Sequence, residues 1–161
     1  MRELATGFEE KVEMSLAADL GIEHPKLRRL HQDWLDRRRD RAMPSRADFD
    51  ILDLRYIVGD LNLLDVLYEP LRFRFRVHGS SAVARLGFDL TRRTVDDYPD
   101  PEYRSVVAKH YTTVVGSKAP MRIVQDPYRV RDRVLRWEGL ILPLSDDGER
   151  VNMLLVGVSV D

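Results

Sequence analysis

Residues 71–79 read LRFRFRVHG, and apolar and basic side chains alternate at every position up to His78. One parity is apolar: Leu71, Phe73, Phe75 and Val77. The other parity is basic: Arg72, Arg74, Arg76 and His78. Successive side chains of a β-strand point to opposite faces of the sheet, so this pattern predicts a strand with one face on a core and one face turned away from it. The chain must therefore contain a sheet that is covered on the apolar side of this strand.

Other segments of the chain also have the composition of strands, and turn residues separate them. The pair Glu69-Pro70 lies between the alternating stretch and an apolar segment before it, and the sequence SDDG at 145–148 lies between two long apolar segments near the end of the chain. Both arrangements indicate antiparallel hairpins. The predicted strands are 62–69, 71–78, 120–126, 133–145 and 149–160.

Helices are predicted between the second and third of these strands. Residues 80–86 form a brief helix that Gly87 ends, and Asp100 followed by Pro101 is the clearest helix start in the chain, because Asp caps free amide groups and Pro suits the first helical position. This second helix is predicted to reach Val115, with Gly116 behind it. Strands that are adjacent in the sequence pair with one another before and after a central helical segment. This order predicts an α+β fold in which a five-stranded antiparallel sheet carries helices on one face.

Residues 1–43 form a predicted helical extension in front of a domain that spans 44–161. A helix over 5–20 is indicated by apolar residues at helical spacing, namely Phe8, Val12, Leu16 and Leu20. A second helix begins at Pro25 and carries Leu27, Leu30 and Trp34 on one side. Both apolar stripes must be buried, either on the sheet or against a second copy of the chain, so we expect a homodimer through the N-terminal helices.

The basic face of the alternating strand has a simple structural explanation. Asp65 on the preceding strand and Glu138 on a later one offer carboxylates to its arginines, as cross-strand pairs commonly do. A partner-binding face is the alternative that the sequence leaves open. Nucleic-acid binding is not expected, because 26 basic and 27 acidic residues leave a net charge of −1.

Composition excludes several classes of function. The chain of 161 residues has no cysteine, which excludes disulfides and thiol catalysis. Its four histidines, at 24, 31, 78 and 110, are not spaced as metal ligands, and no catalytic motif is present, so neither a metal site nor an enzyme is expected. No signal peptide and no apolar segment of about 20 residues is found, so we expect a cytoplasmic protein without a membrane span.

Two short motifs connect the chain to a known family. The first contains Arg41, Pro44, Ser45, Arg46 and Asp48; the second contains Gly87, Asp89, Leu90 and Thr91. Their order resembles the R-x-x-P-S-R-x-D stretch, the FRYRLVGT strand, the GRDLTG loop and the LLPL strand of single-domain PAS proteins from alphaproteobacteria. Two positions depart from that pattern, because Arg92 replaces a usual glycine and Ile51 replaces a frequent proline.

The resemblance implies a signalling role without naming a cofactor or ligand. PAS domains bind small molecules between sheet and helices, dimerise, or contact a regulated partner, and this chain would act on a separate signalling protein. The inward aromatic side of the sheet and the apolar face of the central helix predict a ligand pocket lined by Phe75, Val83, Leu86, Val107, His110, Tyr111 and Trp137. A ligand-free interaction or dimerisation module is the first alternative. A small enzyme that uses Tyr103, His110 or an aspartate is the second.

Overall fold

A computed structural model describes residues 10–14, 20–130 and 133–160, with side chains for 20–125 and 136–160. Within these residues, six strands form one antiparallel sheet in the order β1-β4-β5-β6-β2-β3. The strands are β1 (Glu10–Met14), β2 (Leu61–Leu67), β3 (Arg72–Val77), β4 (Met121–Val130), β5 (Arg133–Leu144) and β6 (Met153–Val160). The five predicted strands are therefore confirmed, and a sixth strand extends the sheet beyond β4.

The sixth strand corrects the prediction for the N-terminal segment. A helix was predicted over 5–20, but residues 10–14 form β1, which pairs antiparallel with β4 from Glu10 opposite Gln125 to Met14 opposite Met121. The sequence EKVEM alternates over so short a length that it fits a strand as well as a helix, and the backbone groups along the edge of β4 decide the outcome. The remainder of the predicted helix, 5–9 and 15–19, lies outside the described residues.

The helix predicted to begin at Pro25 is confirmed as α1 (Pro25–Arg38). Its buried residues lie on the sheet face formed by β5 and β6, where Trp34 donates its indole Nε1–H to the carbonyl oxygen of Pro143 at 2.9 Å. Gly157 of β6 leaves the space for this contact, since a Cβ atom there would lie 2.7 Å from the Cδ2 atom of Leu27. In this chain α1 thus covers the sheet, whereas the predicted division into 1–43 and 44–161 stays a prediction.

The opposite face of the sheet carries the central helix. This helix, α3 (Pro101–Ser117), begins as predicted, because the Asp100 carboxylate accepts the amide hydrogens of Glu102 and Tyr103. It ends at Ser117, two residues later than predicted, because Gly116 stays helical; Lys118 behind it lies in the left-handed region. The brief helix α2 (Ser80–Leu86) ends at Gly87, as predicted. We call the α3 side of the sheet the inner face and the α1 side the outer face.

The alternation of residues 71–78 holds for the first part of the strand and then breaks. Phe73 and Phe75 are buried on the inner face, where Phe73 meets Tyr111 of α3 edge to face at 5.4 Å between ring centroids. An irregularity between Leu63 and Leu64 then shifts the register, and Val77 lies opposite Leu63 on the outer face with 41% of its surface exposed. Val77 was predicted to face the helices, and that prediction is wrong because a bulge reverses the facing of residues beyond it.

His78 is reversed by the same irregularity. It was predicted on the basic face, but it is buried against the Phe75 ring, with 4.9 Å between ring centroids. Its Nδ1 atom accepts the amide hydrogen of Leu90 at 3.0 Å. Burial lowers the pKa of His78; the Asp89 carboxylate opposes this effect and Arg85 adds to it. The histidine therefore serves as a neutral acceptor that holds the 87–94 loop against the end of β3.

This loop also lies along the edge of β3 that does not pair with β2. The amide of Phe75 donates to the carbonyl oxygen of Arg93 at 2.8 Å, and the amide of Arg92 donates to that of Phe75 at 2.7 Å. Arg92 has a φ of 71°, the left-handed conformation that glycine adopts most readily. The position where the resembling proteins carry glycine is therefore one that favours glycine here as well.

Candidate functional site

The segment between α1 and β2 is an ordered cover over part of the outer face, and we call residues 44–60 the connector. It contains three short 3-10 helices, Arg46–Asp48, Ile51–Leu54 and Val58–Asp60. Apolar side chains spaced along it are buried, namely Phe49, Leu54 and Ile57. Asp50 caps the second of these helices by accepting the amide hydrogen of Leu52 at 2.9 Å.

The first sequence motif fastens the connector to α1. The Asp48 carboxylate accepts hydrogen bonds from the amide of Ser45 at 2.8 Å and from the guanidinium of Arg41 at 2.7 Å. Burial opposes ionisation of Asp48, but the hydrogen bonds from Ser45 and Arg41 outweigh it and hold the pKa of this carboxyl below its ordinary value. Arg37 adds a bond to the Asp48 carbonyl oxygen and an ion pair with Asp53 at 3.1 Å. The motif therefore has a structural role, which is to set the position of the connector.

An apolar groove opens between the connector and the sheet, and we call it the outer-face groove. Its cavity volume is about 50 Å³. The floor consists of buried leucines from β2, β5 and β6, while the rim is exposed: Ile51 by 52%, Val58 by 42% and Val77 by 41%. Leu52, beside the rim, is 67% exposed. The lining residues are Arg46, Phe49, Ile51, Leu54, Val58, Leu61, Leu63, Val77, Leu144 and Leu155.

The basic side of β3 lies next to this groove. Asp65 accepts from Arg74 at 3.3 Å and from Arg76 at 3.0 Å, so one carboxylate faces two guanidinium groups. This confirms the predicted cross-strand pairing of Asp65. Arg72 on the same side is exposed, and Arg76 has more than half of its side chain in solvent. A local excess of positive charge therefore borders an apolar opening.

The predicted partnership of Glu138 with these arginines is wrong. Glu138 lies on β5, which β6 and β2 separate from β3. There it accepts from Arg122 at 2.7 Å and from the backbone amides of Glu23 and His24 at 3.0 and 2.8 Å. Burial disfavours its charged form, yet these hydrogen bonds keep the pKa of Glu138 below the ordinary value. The buried pair fixes the start of α1 on the sheet.

A second, polar groove lies beside this pair. It has a volume of about 230 Å³ and is lined by Glu23, His24, Pro25, Arg136, Glu138 and Ser159. Most of its charges are already paired, since Arg136 contacts Glu23 at 2.7 Å and Arg122 holds Glu138. The groove therefore has little unsatisfied charge to offer a ligand.

The seven residues predicted as a ligand pocket fall on or near the inner face. Phe75 and Tyr111 are buried in one core, while Leu86, Val107 and Trp137 pack against that core and are half-buried. Val83 of α2 and His110 of α3 are also half-buried. None of the seven lines the outer-face groove or the polar groove. The inner-face pocket stays a prediction.

Aromatic rings fill much of the inner face between β3 and α3. Tyr98 meets Phe75 at 5.9 Å and Tyr103 at 5.0 Å between ring centroids, both edge to face. Burial raises the pKa of Tyr98, and Tyr103 raises it further. Burial likewise raises the pKa of Tyr111, and Tyr98 and Tyr103 add to the effect. Tyr98 and Tyr111 therefore stay neutral phenols near physiological pH.

Sequence reasoning missed the outer-face groove. The signal was present, because six large apolar residues occur within the ten positions 49–58: Phe49, Ile51, Leu52, Leu54, Ile57 and Val58. The His, Asp and Glu residues in the described part of the chain form no group of three that could hold a metal ion, and none of its helices has the length and apolarity to cross a bilayer.

An antiparallel sheet with an aromatic inner face, short helices and a central helix defines an α+β module. The chain belongs to the PAS domain family, whose profile matches residues 22–158. This match confirms the predicted family and fold, while the narrower likeness to alphaproteobacterial proteins stays a prediction. None of the curated proteins compared with the chain matches it.

A solved structure described as an RNA-binding Light-Oxygen-Voltage receptor is similar to this chain, with a TM-score of 0.48 and 10% sequence identity. The match covers 95% of this chain and 39% of the receptor chain. The chain therefore spans well under half the length of that receptor.

Proposed function

We propose that this chain is a non-enzymatic sensory signalling domain whose output is the binding of a separate protein. The observation that carries the proposal is the outer-face groove with its exposed aliphatic rim. Contiguous apolar surface of this kind marks interaction sites on soluble domains more often than it occurs by chance. Membership of the PAS family supports a sensory role, and the cysteine-free composition is compatible with the cytoplasm.

The chemistry of the inner face favours binding over catalysis. An effective general acid or base has a pKa near the working pH. Burial moves the pKa of Tyr98 and Tyr111 away from neutral pH, above the ordinary value for a phenol. Neither hydroxyl is therefore poised for proton transfer at neutral pH, which supports a non-enzymatic role.

Small-molecule sensing at the inner face is a second candidate function. Tyr103 hydrogen-bonds with Tyr98, and both raise the pKa of Tyr111, so the three hydroxyl groups lie near each other at the edge of an apolar core in which Tyr98 and Tyr111 are buried. A few polar groups in an apolar environment are typical of ligand sites. A ligand there would contact the predicted set of Phe75, Val83, Leu86, Val107, His110, Tyr111 and Trp137.

We also propose that the chain forms a homodimer through its N-terminal region. Light scattering of the full chain across micromolar concentrations tests this, with twice 18.7 kDa as the expected mass. A truncation that starts near Met43 is not suitable for this test, because it removes Leu27, Leu30 and Trp34 from the core. A constant mass of one chain at every concentration would contradict the dimer.

Gentle purification of the full chain from its own host, followed by native mass spectrometry, tests the proposed function. We expect a co-purified protein that forms a defined complex when both proteins are expressed separately and mixed. A bound small molecule without a protein partner would favour the second candidate. Conversion of that molecule into a product would overturn the non-enzymatic assignment.

A further inference from the structure

We propose that the outer-face groove binds an acidic segment of the partner protein, which inserts one aliphatic side chain between the connector and the sheet. The inference rests on the proposed function and specifies the chemistry of its partner. It depends on two features that lie side by side: an apolar opening with an exposed rim, and a strand with more arginines than carboxylates.

The size of the opening sets the kind of anchor. A water molecule needs about 10–15 Å³ of cavity measured in this way, so a volume of about 50 Å³ accommodates three to five groups of that size. A leucine, isoleucine or methionine side chain has four atoms beyond its Cα and fits this space. An indole ring is too large for it unless the rim moves. The groove therefore selects a single aliphatic residue.

The floor and rim of the groove offer apolar surface to such an anchor. Leu63 and Leu155 of the floor are buried in the sheet, and Ile51, Val58 and Val77 expose apolar surface that an inserted side chain would cover. Burial of that surface is favourable in proportion to its area. The connector is already fixed to α1 by the bonds of Asp48 and Arg37, so docking has little ordering cost to offset.

Charge complementarity identifies the flanks of the anchor. On the β3 side, Arg74 and Arg76 share one carboxylate, that of Asp65, and Arg72 is exposed on the same strand. On the connector side, Asp50 and Asp60 offset the positive charge of Arg46, which lines the groove, so this side attracts acidic groups of a partner less than β3 does. The partner segment therefore carries its Asp or Glu residues on the side of the anchor that faces β3.

Other occupants use only one of the two features. A nucleic acid would contact the arginines and leave the aliphatic rim in solvent, because its backbone offers no apolar anchor. A second copy of this chain would make the same variants change the mass of the protein rather than its affinity for an acidic peptide. These two occupants are distinguished in the experiment below.

The probe is a synthetic acetylated and amidated peptide, EEDELGSGS, titrated into the isotopically labelled full chain while backbone amide NMR signals are recorded. We expect saturable shifts centred on 51–58, on 61–64 and on 76–77, with a dissociation constant that rises at least several-fold between 50 and 300 mM salt. A matched peptide with serine in place of leucine is expected to bind at least tenfold more weakly. Shifts in 51–58 are the signature of the groove.

Variants of the chain test the two features separately. Val77→Thr keeps the shape of the rim and adds a hydroxyl group, and Arg72→Gln removes a positive charge without breaking either ion pair of Asp65. Each is expected to weaken binding of the leucine peptide at least three-fold. The matched control is Arg85→Gln on α2, an exposed arginine outside the groove, which is expected to leave the affinity unchanged.

Several outcomes would overturn the inference. These are the absence of shifts at 2 mM peptide, equal binding of the leucine and serine peptides, shifts from a single-stranded RNA 12-mer that exceed those from the peptide, and variants that alter only the mass by light scattering. If the native partner of the chain binds the Val77→Thr and Arg72→Gln variants as well as it binds the wild type, the groove assignment fails while the proposed function stands. If no protein partner is found and only a small molecule binds, the proposed function itself fails.

Discussion

The replacement of Gly157 by alanine tests the seating of α1 on the sheet. A Cβ atom at this position would lie 2.7 Å from Leu27 Cδ2 and 3.0 Å from Leu30 Cδ2, both closer than such atoms approach one another without displacement. Both leucines are completely buried in the core, so their methyl groups have little free space into which they can move. The added methyl group therefore has to displace the two leucine side chains or push α1 away from β6.

The expected magnitude follows from two opposing effects. Overpacking a well-filled core by one carbon atom costs about 1–3 kcal/mol. Removing a glycine from the middle of a strand recovers about 0.5–1 kcal/mol, because the unfolded chain loses conformational freedom. We expect Gly157→Ala to lower the free energy of unfolding by about 1–2 kcal/mol, which urea denaturation measures as a lower midpoint at unchanged slope.

The matched control is Gly116→Ala. Gly116 lies in the last turn of α3 with no atom within 4 Å of a hypothetical Cβ, so alanine there is expected to stabilise the protein by up to about 1 kcal/mol. A double variant with Leu27→Ala supplies a second check, because the shortened side chain relieves the clash. The double variant should therefore lose less stability than the sum of the losses of the two single variants. Unfolding of Gly157→Ala at or above the wild-type midpoint would refute the reasoning.

Three further predictions concern stability. Trp34→Phe removes the indole donor of the buried Pro143 carbonyl and leaves space in the core, so a loss of about 1–3 kcal/mol is expected in urea denaturation, and an unchanged midpoint would contradict it. Asp48→Asn keeps the size of the side chain but removes its charge, so the free energy of unfolding should fall by about 1 kcal/mol at pH 7. The difference from the wild type should vanish as the pH falls through the folded pKa of Asp48, because the wild-type carboxylate then also loses its charge. Because the pKa of His78 is lowered in the folded chain, this histidine binds its proton more tightly in the unfolded chain than in the folded one. Its contribution to the free energy of unfolding should therefore be constant above the ordinary histidine pKa and fall as the pH drops below about 6.5. His78→Gln should flatten that part of the pH profile, and an equally steep profile would exclude this histidine as its source.

The elements that the sequence predicted correctly are those with local signals. Asp100 and Pro101 specify the start of α3 within three residues, and the turns at Glu69-Pro70 and at 145–148 specify two hairpins. The alternation at 71–76 identified the buried aromatic side of β3 for the same reason, because the period of a strand is visible in a few consecutive letters.

The features that the sequence did not reveal depend on distant parts of the chain. Residues 10–14 become a strand because β4, more than a hundred positions away, presents an edge to them. Val77 and His78 lie on the faces opposite to those predicted because of the irregularity between Leu63 and Leu64. The alternating pattern of the sequence gives no sign of this irregularity. The outer-face groove exists only when the connector meets the sheet, so its residues carry apolar character in the sequence but no indication of what they enclose.

The 87–94 loop has a consequence for solubility. Exposed edges of a sheet are where a neighbouring molecule can add its own strand and begin aggregation. The backbone bonds between Phe75 and the Arg92–Arg93 pair occupy that position on β3, and the Nδ1 atom of His78 holds the loop in place. Conditions that detach the loop, such as protonation of His78 in mild acid, would therefore expose a strand rich in phenylalanine and arginine. Such damage would first be seen as self-association of a still-folded domain, at the edge of the sheet opposite to the N-terminal strand.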